Sequence, residues 1–185
     1  MAKRNTQANP LPGEPTHTEL IDEMIRVDHA GEYGAQRIYA GQLAVLKNHA
    51  CAPTLQHMAE QETEHLRTFE RLMKARGARP TALVPLWHVL GFAMGAGTAM
   101  LGEKAAMACT VAVERVIADH YAEQGAALGE DEQELKHIVQ KFREEEIEHH
   151  DIGIDHGAEQ TPFYEALSAG ISGATKLAIF LSKKL

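Results

Sequence analysis

The sequence predicts an all-α fold, and three observations support that prediction. Hydrophobic residues make up 44% of the 185 residues but aromatic residues only 5%, so the core would be aliphatic and rich in alanine. No segment alternates polar and β-branched residues as strands do. Apolar residues instead recur every three or four positions along most of the chain, which is the period of an amphipathic helix. This length suits one domain with a substantial core.

The N-terminal segment is expected to differ from the rest of the chain. Residues 1–15 include Pro10, Pro12 and Pro15, which predict a flexible leader, and residues 16–185 would form the helical domain. The leader begins with basic residues but has no apolar stretch, so it does not resemble a secretory signal.

Two long helices are predicted in the first half. Thr16 and Glu19 have the spacing of a capping box, so the first helix would begin there and run to about Asn48. The second would run from Pro53 to about Arg76. The predicted buried seams are Ile21, Ile25, Tyr39 and Leu46 in the first helix, and Leu55, Met58, Glu62, His65, Phe69 and Leu72 in the second.

Three further helices are predicted in the second half. One would occupy about 103–129, the next about 130–156, and Thr161 before Pro162 would cap the last. Their predicted seams are Met107, Val111, Glu114, Ala118 and Tyr121; then Leu135, Val139, Phe142, Glu146, His149 and Gly153; then Leu167, Ile171, Ala174, Ala178 and Leu181.

The segment 81–102 contains no Asp, Glu, Lys or Arg and is long enough to span a bilayer. Pro85, His88 and four glycines are unusual in such a span, and a lone span would separate the two halves of the chain. We therefore expect a crossover between the second and third bundle helices that lies in the membrane interface. A crossover buried in the protein and a true span are the alternatives.

The seams carry charged residues in a repeated pattern. Each half has an E-x-x-H pair, whose two side chains share one face of a helix. A lone glutamate precedes the pair by 30 residues in the first half and by 32 in the second, which suits two antiparallel helices joined by a short loop. The six candidate metal ligands are Glu32, Glu62, His65, Glu114, Glu146 and His149.

This is the ligand set of di-iron and di-manganese carboxylate bundles. Each unpartnered buried carboxylate would cost on the order of several kcal/mol, whereas two divalent metal ions would neutralise all four. Hard oxygen ligands with two imidazoles suit iron or manganese. Cys51 and Cys109 form no C-x-x-C motif, and the absence of cysteine ligands argues against a structural zinc centre.

Some neighbouring residues leave alternatives open. His150 lies four residues after Glu146 and could also reach the site, but the rhythm of the seam favours His149. Four other residues are open between a role beside the metal ions and ordinary packing: Asp28, His29, and the possible relay residues His120 and Tyr121.

Four segments resemble the 5-demethoxyubiquinone hydroxylase family of ubiquinone biosynthesis: RVDHAGEYGAQRIYAGQ, RPTALVPLWHVLGFAMGAGTAMLG, MACTVAVE and FREEEIEHHDIG. The resemblance covers nearly everything from about Ile21 to Leu185, and the six candidate ligands all match the family's motif. It implies a ferritin-like four-helix bundle with a long apolar crossover helix between bundle helices 2 and 3, and an extra C-terminal amphipathic helix.

The resemblance also implies an activity. The protein would be a monooxygenase with two iron ions (Fe2+/Fe3+) that hydroxylates the ring of a demethoxy-polyprenyl-benzoquinol with O2. Electrons would come from NADH or the reduced quinol, although the sequence has no Gly-rich nucleotide-binding fingerprint. His120 and Tyr121 match a family position suspected of passing electrons to the metals.

The expected setting is a membrane surface, because the polyprenyl tail stays in the lipid. The protein would be a peripheral membrane protein, on the cytoplasmic face of the cell membrane if it is bacterial, with lipid-binding or ubiquinone-biosynthesis complex partners. The net charge of -8 argues against nucleic acid as a partner. A ferritin-type iron-oxidising or storage protein is the alternative function, but it has no use for the uncharged segment 81–102.

Overall fold

The computed structural model describes residues 13–185, and no strand occurs among them. Six α-helices follow one another: α1 (His17–Leu46), α2 (Ala52–Arg76), α3 (Val84–Met100), α4 (Glu103–Ala127), α5 (Gln133–Asp155) and α6 (Tyr164–Lys184). Short 3-10 turns at Glu130–Glu132 and Ala158–Gln160 precede α5 and α6. The fold is an all-α, ferritin-like bundle. Residues 1–12 of the predicted leader lie outside the described residues, so the division into leader and domain stays a prediction.

Two helical hairpins form the bundle. α1 packs against α2 and α4 packs against α5, while α1 also contacts α4. The capping box at the start of α1 is present, with the Thr16 N–H donating to Oε2 of Glu19 and the Glu19 N–H donating to Oγ1 of Thr16. The buried residues of α5 are the six on its predicted seam: Leu135, Val139, Phe142, Glu146, His149 and Gly153.

Helix α3 lies against α1 at very short range. A Cβ on Gly95 would overlap the backbone carbonyl of Ile38, and a Cβ on Gly41 would overlap that of Phe92. The two backbones can therefore touch only because glycine occupies these positions. None of the helices within residues 13–185 is long and apolar enough to cross a membrane.

The last helix differs from its prediction in two ways. Thr161 does not cap α6, because the helix begins only at Tyr164, and Phe163 with φ 57 is the N-cap residue. Of the five predicted seam residues only Ile171 is buried; the other buried residues are Ser168, Ser172 and Ser182. Two of these serines have hydrogen-bonded hydroxyls: Ser172 Oγ donates to the Ala112 carbonyl at 3.2 Å, and Ser182 Oγ accepts from Trp87 Nε1–H at 3.1 Å.

Candidate metal centre

Six acidic and imidazole side chains lie together inside the bundle, and each is at most 1% exposed. They are the six candidate ligands: Glu32 from α1, Glu62 and His65 from α2, Glu114 from α4, and Glu146 and His149 from α5. Each reaches the interior because it occupies a position on the buried seam of its helix.

The six residues form two groups that share two carboxylates. One group is Glu32, Glu62, His65 and Glu146, and the other is Glu62, Glu114, Glu146 and His149. Within each group, one potential ligand atom per residue lies within 4.8 Å of all the others. Glu62 and Glu146 belong to both groups, which is the arrangement expected of carboxylates that bridge two metal positions.

Both imidazole rings present Nδ1 to the carboxylates. Nδ1 of His65 lies 3.3 Å from Oε2 of Glu32 and 3.2 Å from Oε1 of Glu146. Nδ1 of His149 lies 3.2 Å from Oε1 of Glu62 and 3.4 Å from Oε2 of Glu146. The same nitrogen of each ring is therefore available to a metal ion.

The other ring nitrogen, Nε2, of each imidazole contacts a residue that does not belong to the six-residue cluster. Nε2 of His65 lies 2.7 Å from Oε2 of Glu145, and Nε2 of His149 lies 3.0 Å from Oε1 of Gln61. A proton on Nε2 that is donated outward leaves the Nδ1 lone pair for a metal and fixes the ring orientation. Sequence reasoning missed both partners, although Gln61 and Glu145 each directly precede the glutamate of an E-x-x-H pair.

Polar atoms of all six residues have no hydrogen-bond partner. They are Oε2 of Glu32, both carboxylate oxygens of Glu62, Nδ1 of His65, Oε2 of Glu114, both carboxylate oxygens of Glu146 and Nδ1 of His149. Buried polar atoms are normally paired, because leaving them unpaired is costly. Eight such atoms converging on one region fit a pair of divalent metal ions.

The buried carboxylates of the cluster need compensating positive charge, as the pKa shifts of its residues indicate. Burial, and then the nearby Glu146 carboxylate, hold the pKa of both Glu62 and Glu114 well above the usual range. Burial lowers the pKa of His65, but the surrounding carboxylates outweigh it and raise that pKa to about 12. Burial alone would raise the pKa of Glu146, yet the imidazoles of His149 and His65 beside it bring that pKa to about 2. The cluster therefore favours cations.

Two phenols each donate a hydrogen bond to one oxygen of a lone glutamate. Tyr39 Oη donates to Oε1 of Glu114 at 2.7 Å, and Tyr121 Oη donates to Oε1 of Glu32. Burial raises the pKa of both phenols, so they remain neutral donors. The sequence predicted Tyr39 only as a core residue. Its position two turns after Glu32, on the same face of α1, could have indicated that it lies near the candidate ligands.

The remaining candidates lie outside the six-residue cluster. His150 has a side chain 29% exposed and pairs with Asp151 at 2.9 Å, whereas His149 points inward. Asp28 and His29 are buried but belong to neither group of potential ligands. His120 Nε2 lies 3.0 Å from Nε2 of Gln124.

Comparison with known proteins assigns the chain to a family. The family model described as "Ubiquinone biosynthesis protein COQ7" matches residues 19–182. The chain is 54% identical over 183 residues to a protein of Rhodospirillum rubrum named 3-demethoxyubiquinol 3-hydroxylase, covering 98% of this chain and 86% of that protein. It is 54% identical over 169 residues to the Homo sapiens protein named NADPH-dependent 3-demethoxyubiquinone 3-hydroxylase, mitochondrial, covering 89% of this chain and 78% of that protein. A Saccharomyces cerevisiae protein named 5-demethoxyubiquinone hydroxylase, mitochondrial, is 40% identical over 183 residues, covering 90% of this chain and 78% of that protein. This chain therefore belongs to the COQ7 family of ubiquinone biosynthesis proteins.

Proposed function

We propose that this chain is a di-iron monooxygenase of ubiquinone biosynthesis, which hydroxylates the ring of a demethoxy-polyprenyl-benzoquinol with O2. The convergence of six buried ligand side chains, with eight unpaired polar atoms, carries the metal part of this proposal. The hydroxylase activity and the quinol substrate follow from family membership, because the relatives in Rhodospirillum rubrum and Homo sapiens are named as demethoxyubiquinol and demethoxyubiquinone hydroxylases.

The protein would hold and orient the metal pair with its own side chains. Glu62 and Glu146 would be shared by the two metal positions, while Glu32 and His65 would hold one metal ion and Glu114 and His149 the other. When bound, iron supplies the redox chemistry that activates O2. The phenols of Tyr39 and Tyr121 hold one oxygen of each lone glutamate and leave the other free for a metal.

An apolar cavity beside the centre suits the substrate. It has a volume of about 130 Å³, is bounded by α1, α3, α4 and α6, and reaches Glu32 and Tyr121 at one side. Most of its lining is hydrocarbon, as a ring carrying a prenyl chain requires. We place the quinol ring at the Glu32 side and the tail toward α3 and α6, where Trp87 Nε1–H donates to Ser182 Oγ at 3.1 Å.

The outer surfaces of α3 and α6 suit a membrane interface. The exposed large apolar residues there include Leu86, Val89, Leu90, Met100 and Leu101 near or on α3, and Leu177, Phe180 and Leu185 near or on α6. Lys176, Lys183 and Lys184 on α6 would attract anionic lipid. We therefore propose a peripheral membrane protein that takes its quinol from the lipid, on the cytoplasmic face of the membrane in a bacterial cell.

The reaction also needs two electrons. We propose a nicotinamide nucleotide or the reduced quinol as their source; the human and bovine relatives are named NADPH-dependent, which supports a nucleotide. Lipid-binding proteins or a ubiquinone-biosynthesis complex are the partners that a lipid-confined substrate favours.

One experiment tests the proposal. Reduced, iron-loaded protein is incubated in detergent with a demethoxy-quinol and isotopically labelled O2, and the product is analysed by mass spectrometry. We expect a product heavier by one labelled oxygen atom. No such product, together with rapid mineralisation of added iron, would instead indicate the storage function.

A further inference from the structure

A polar group in the cavity beside Glu32 is not used by the metal centre. Asp28 lies one turn before Glu32 on α1, lines the cavity and is 3% exposed. Gln124 Nε2–H donates to Oδ1 of Asp28 at 2.6 Å, whereas Oδ2 of Asp28 has no hydrogen-bond partner. Since a buried oxygen is normally paired, Asp28 has a contact still to make.

The orientation of Asp28 is set by its neighbours on α4. The Gln124 amide nitrogen that binds Oδ1 also lies 3.0 Å from Nε2 of His120, so the amide is held between the two side chains. His120 Nε2 lies 3.8 Å from the same oxygen, Oδ1. These contacts involve one carboxylate oxygen only and leave Oδ2 as the available one.

The rest of the cavity offers a ligand mostly hydrocarbon. Its apolar lining includes Val27, Ile38, Leu90, Met94, Val113 and Ile117. An apolar ring slides and rotates easily in such surroundings, because dispersion contacts have little direction. A single hydrogen bond to a buried oxygen would define which edge of the ring faces Glu32.

We infer that Asp28 binds the substrate ring, through a hydrogen bond between Oδ2 and a ring hydroxyl or carbonyl oxygen, and so fixes which ring carbon faces the metal centre. As a carboxylate, Asp28 accepts from the hydroxyl of a quinol; as a carboxylic acid, it donates to the carbonyl of a quinone. This inference rests on the proposed function, which supplies the quinol. Asp28 would then be the residue that selects a ring bearing oxygen atoms.

Trp87 provides the readout, because it is the single tryptophan of the chain and lines the cavity. Full-length, metal-loaded protein in detergent is titrated without O2, so that no turnover occurs, and the Trp87 emission is followed. One ligand is a short-chain demethoxy-benzoquinone. The other is a prenylbenzene with the same chain and no ring oxygen, which measures apolar binding alone.

We expect Asp28→Leu to weaken binding of the benzoquinone about tenfold or more and to leave binding of the prenylbenzene unchanged. Asp28→Asn, which keeps a polar group at the site, should restore part of the lost affinity. Thr98→Val is the control: Thr98 donates to the Met94 carbonyl within its own helix at 2.9 Å and does not line the cavity, so neither affinity should change.

The outcomes separate the inference from the proposed function. Equal benzoquinone affinity in the wild type and in Asp28→Leu overturns the role of Asp28, while the proposed function stands. Failure of the wild type to bind either ligand counts against the proposed cavity and its function. Circular dichroism checks folding, and if Asp28→Leu does not fold, Asp28→Asn decides: an unchanged benzoquinone affinity overturns the inference.

Discussion

His65 and Glu145 meet through a 2.7 Å contact between Nε2 and Oε2, on the side of the imidazole that faces away from the carboxylate cluster. His149 makes the corresponding contact with an amide oxygen, that of Gln61, at 3.0 Å. A carboxylate polarises an imidazole N–H more strongly than an amide does. The two predicted metal positions are therefore unequal, and His65 should be the stronger donor.

Glu145→Gln should weaken metal binding at the His65 position about 10- to 100-fold, the usual effect of losing such an outer contact. Stepwise titration of the metal-free protein with Mn2+ or Co2+ by calorimetry measures this change. Gln61→Glu should strengthen the other position. Glu144→Gln, at the adjacent exposed residue, is the control and should change neither step. Identical titration curves for Glu145→Gln and the wild type would contradict the assigned asymmetry.

Glu114→Ala should lose metal from its position and abolish hydroxylation, because Glu114 belongs to only one of the two groups of candidate ligands. Metal content by mass spectrometry and the product assay check the two effects together. Glu148→Ala, at an exposed position on α5, should retain both. If Glu114→Ala keeps its metal and its activity, Glu114 is not a ligand.

His149→Ala should lose at least one metal ion, whereas His150→Ala should bind two. The reason is orientation: His149 is 0% exposed and points to Glu62, while His150 pairs with Asp151 at the surface. Metal analysis of the two purified variants decides between these adjacent residues. The reverse result would reassign the ligand to His150.

Gly95→Ala should destabilise the protein by about 1–3 kcal/mol, because the new Cβ would overlap the Ile38 carbonyl and force α3 away from α1. For a domain of this size, each kcal/mol lowers the Tm by about 2–4 °C. Gly97→Ala on the same helix meets no atom within 4 Å and should instead raise stability by about 0.5–1 kcal/mol. Thermal unfolding measures both, and equal Tm values would refute the close approach.

Cys109 should resist alkylation in the folded protein. Burial raises the pKa of its thiol to about 12, so at pH 8 the reactive thiolate is nearly absent, and the side chain is also shielded from reagent. Mass spectrometry after iodoacetamide treatment should find Cys109 modified only once the chain is unfolded. Modification of Cys109 at pH 8 under native conditions would show that this part of the core opens readily.

The centre could be predicted because its residues obey the same period as the core. On α5, the positions of Leu135, Val139 and Phe142 continue directly to Glu146 and His149, and the structure buries all of them. A charged residue on a buried helix face needs a compensating charge, so the pattern points to metal ions. Their role as metal ligands stays a prediction that the titrations above test.

Contacts between helices could not be predicted in the same way. Glu145 and Gln61 lie off the seams, and each reaches a histidine on another helix only because of the way the hairpins pack. The prediction that Thr161 caps α6 was wrong for a local reason, because the chain makes a further turn through Phe163 before α6 begins.

The amino-acid order alone determined that the predicted seams of α1, α4 and α5 face inward, since burial within a helix follows from its 3.6-residue period, but it did not do so for α6. Only the packing of the helices decided which inward-facing groups meet, which nitrogen of each imidazole points to the carboxylates, and where the cavity opens beside Glu32. The physical reason is that periodicity is a property of one helix, whereas a distance between side chains of different helices depends on crossing angles and close glycine contacts that no single segment encodes.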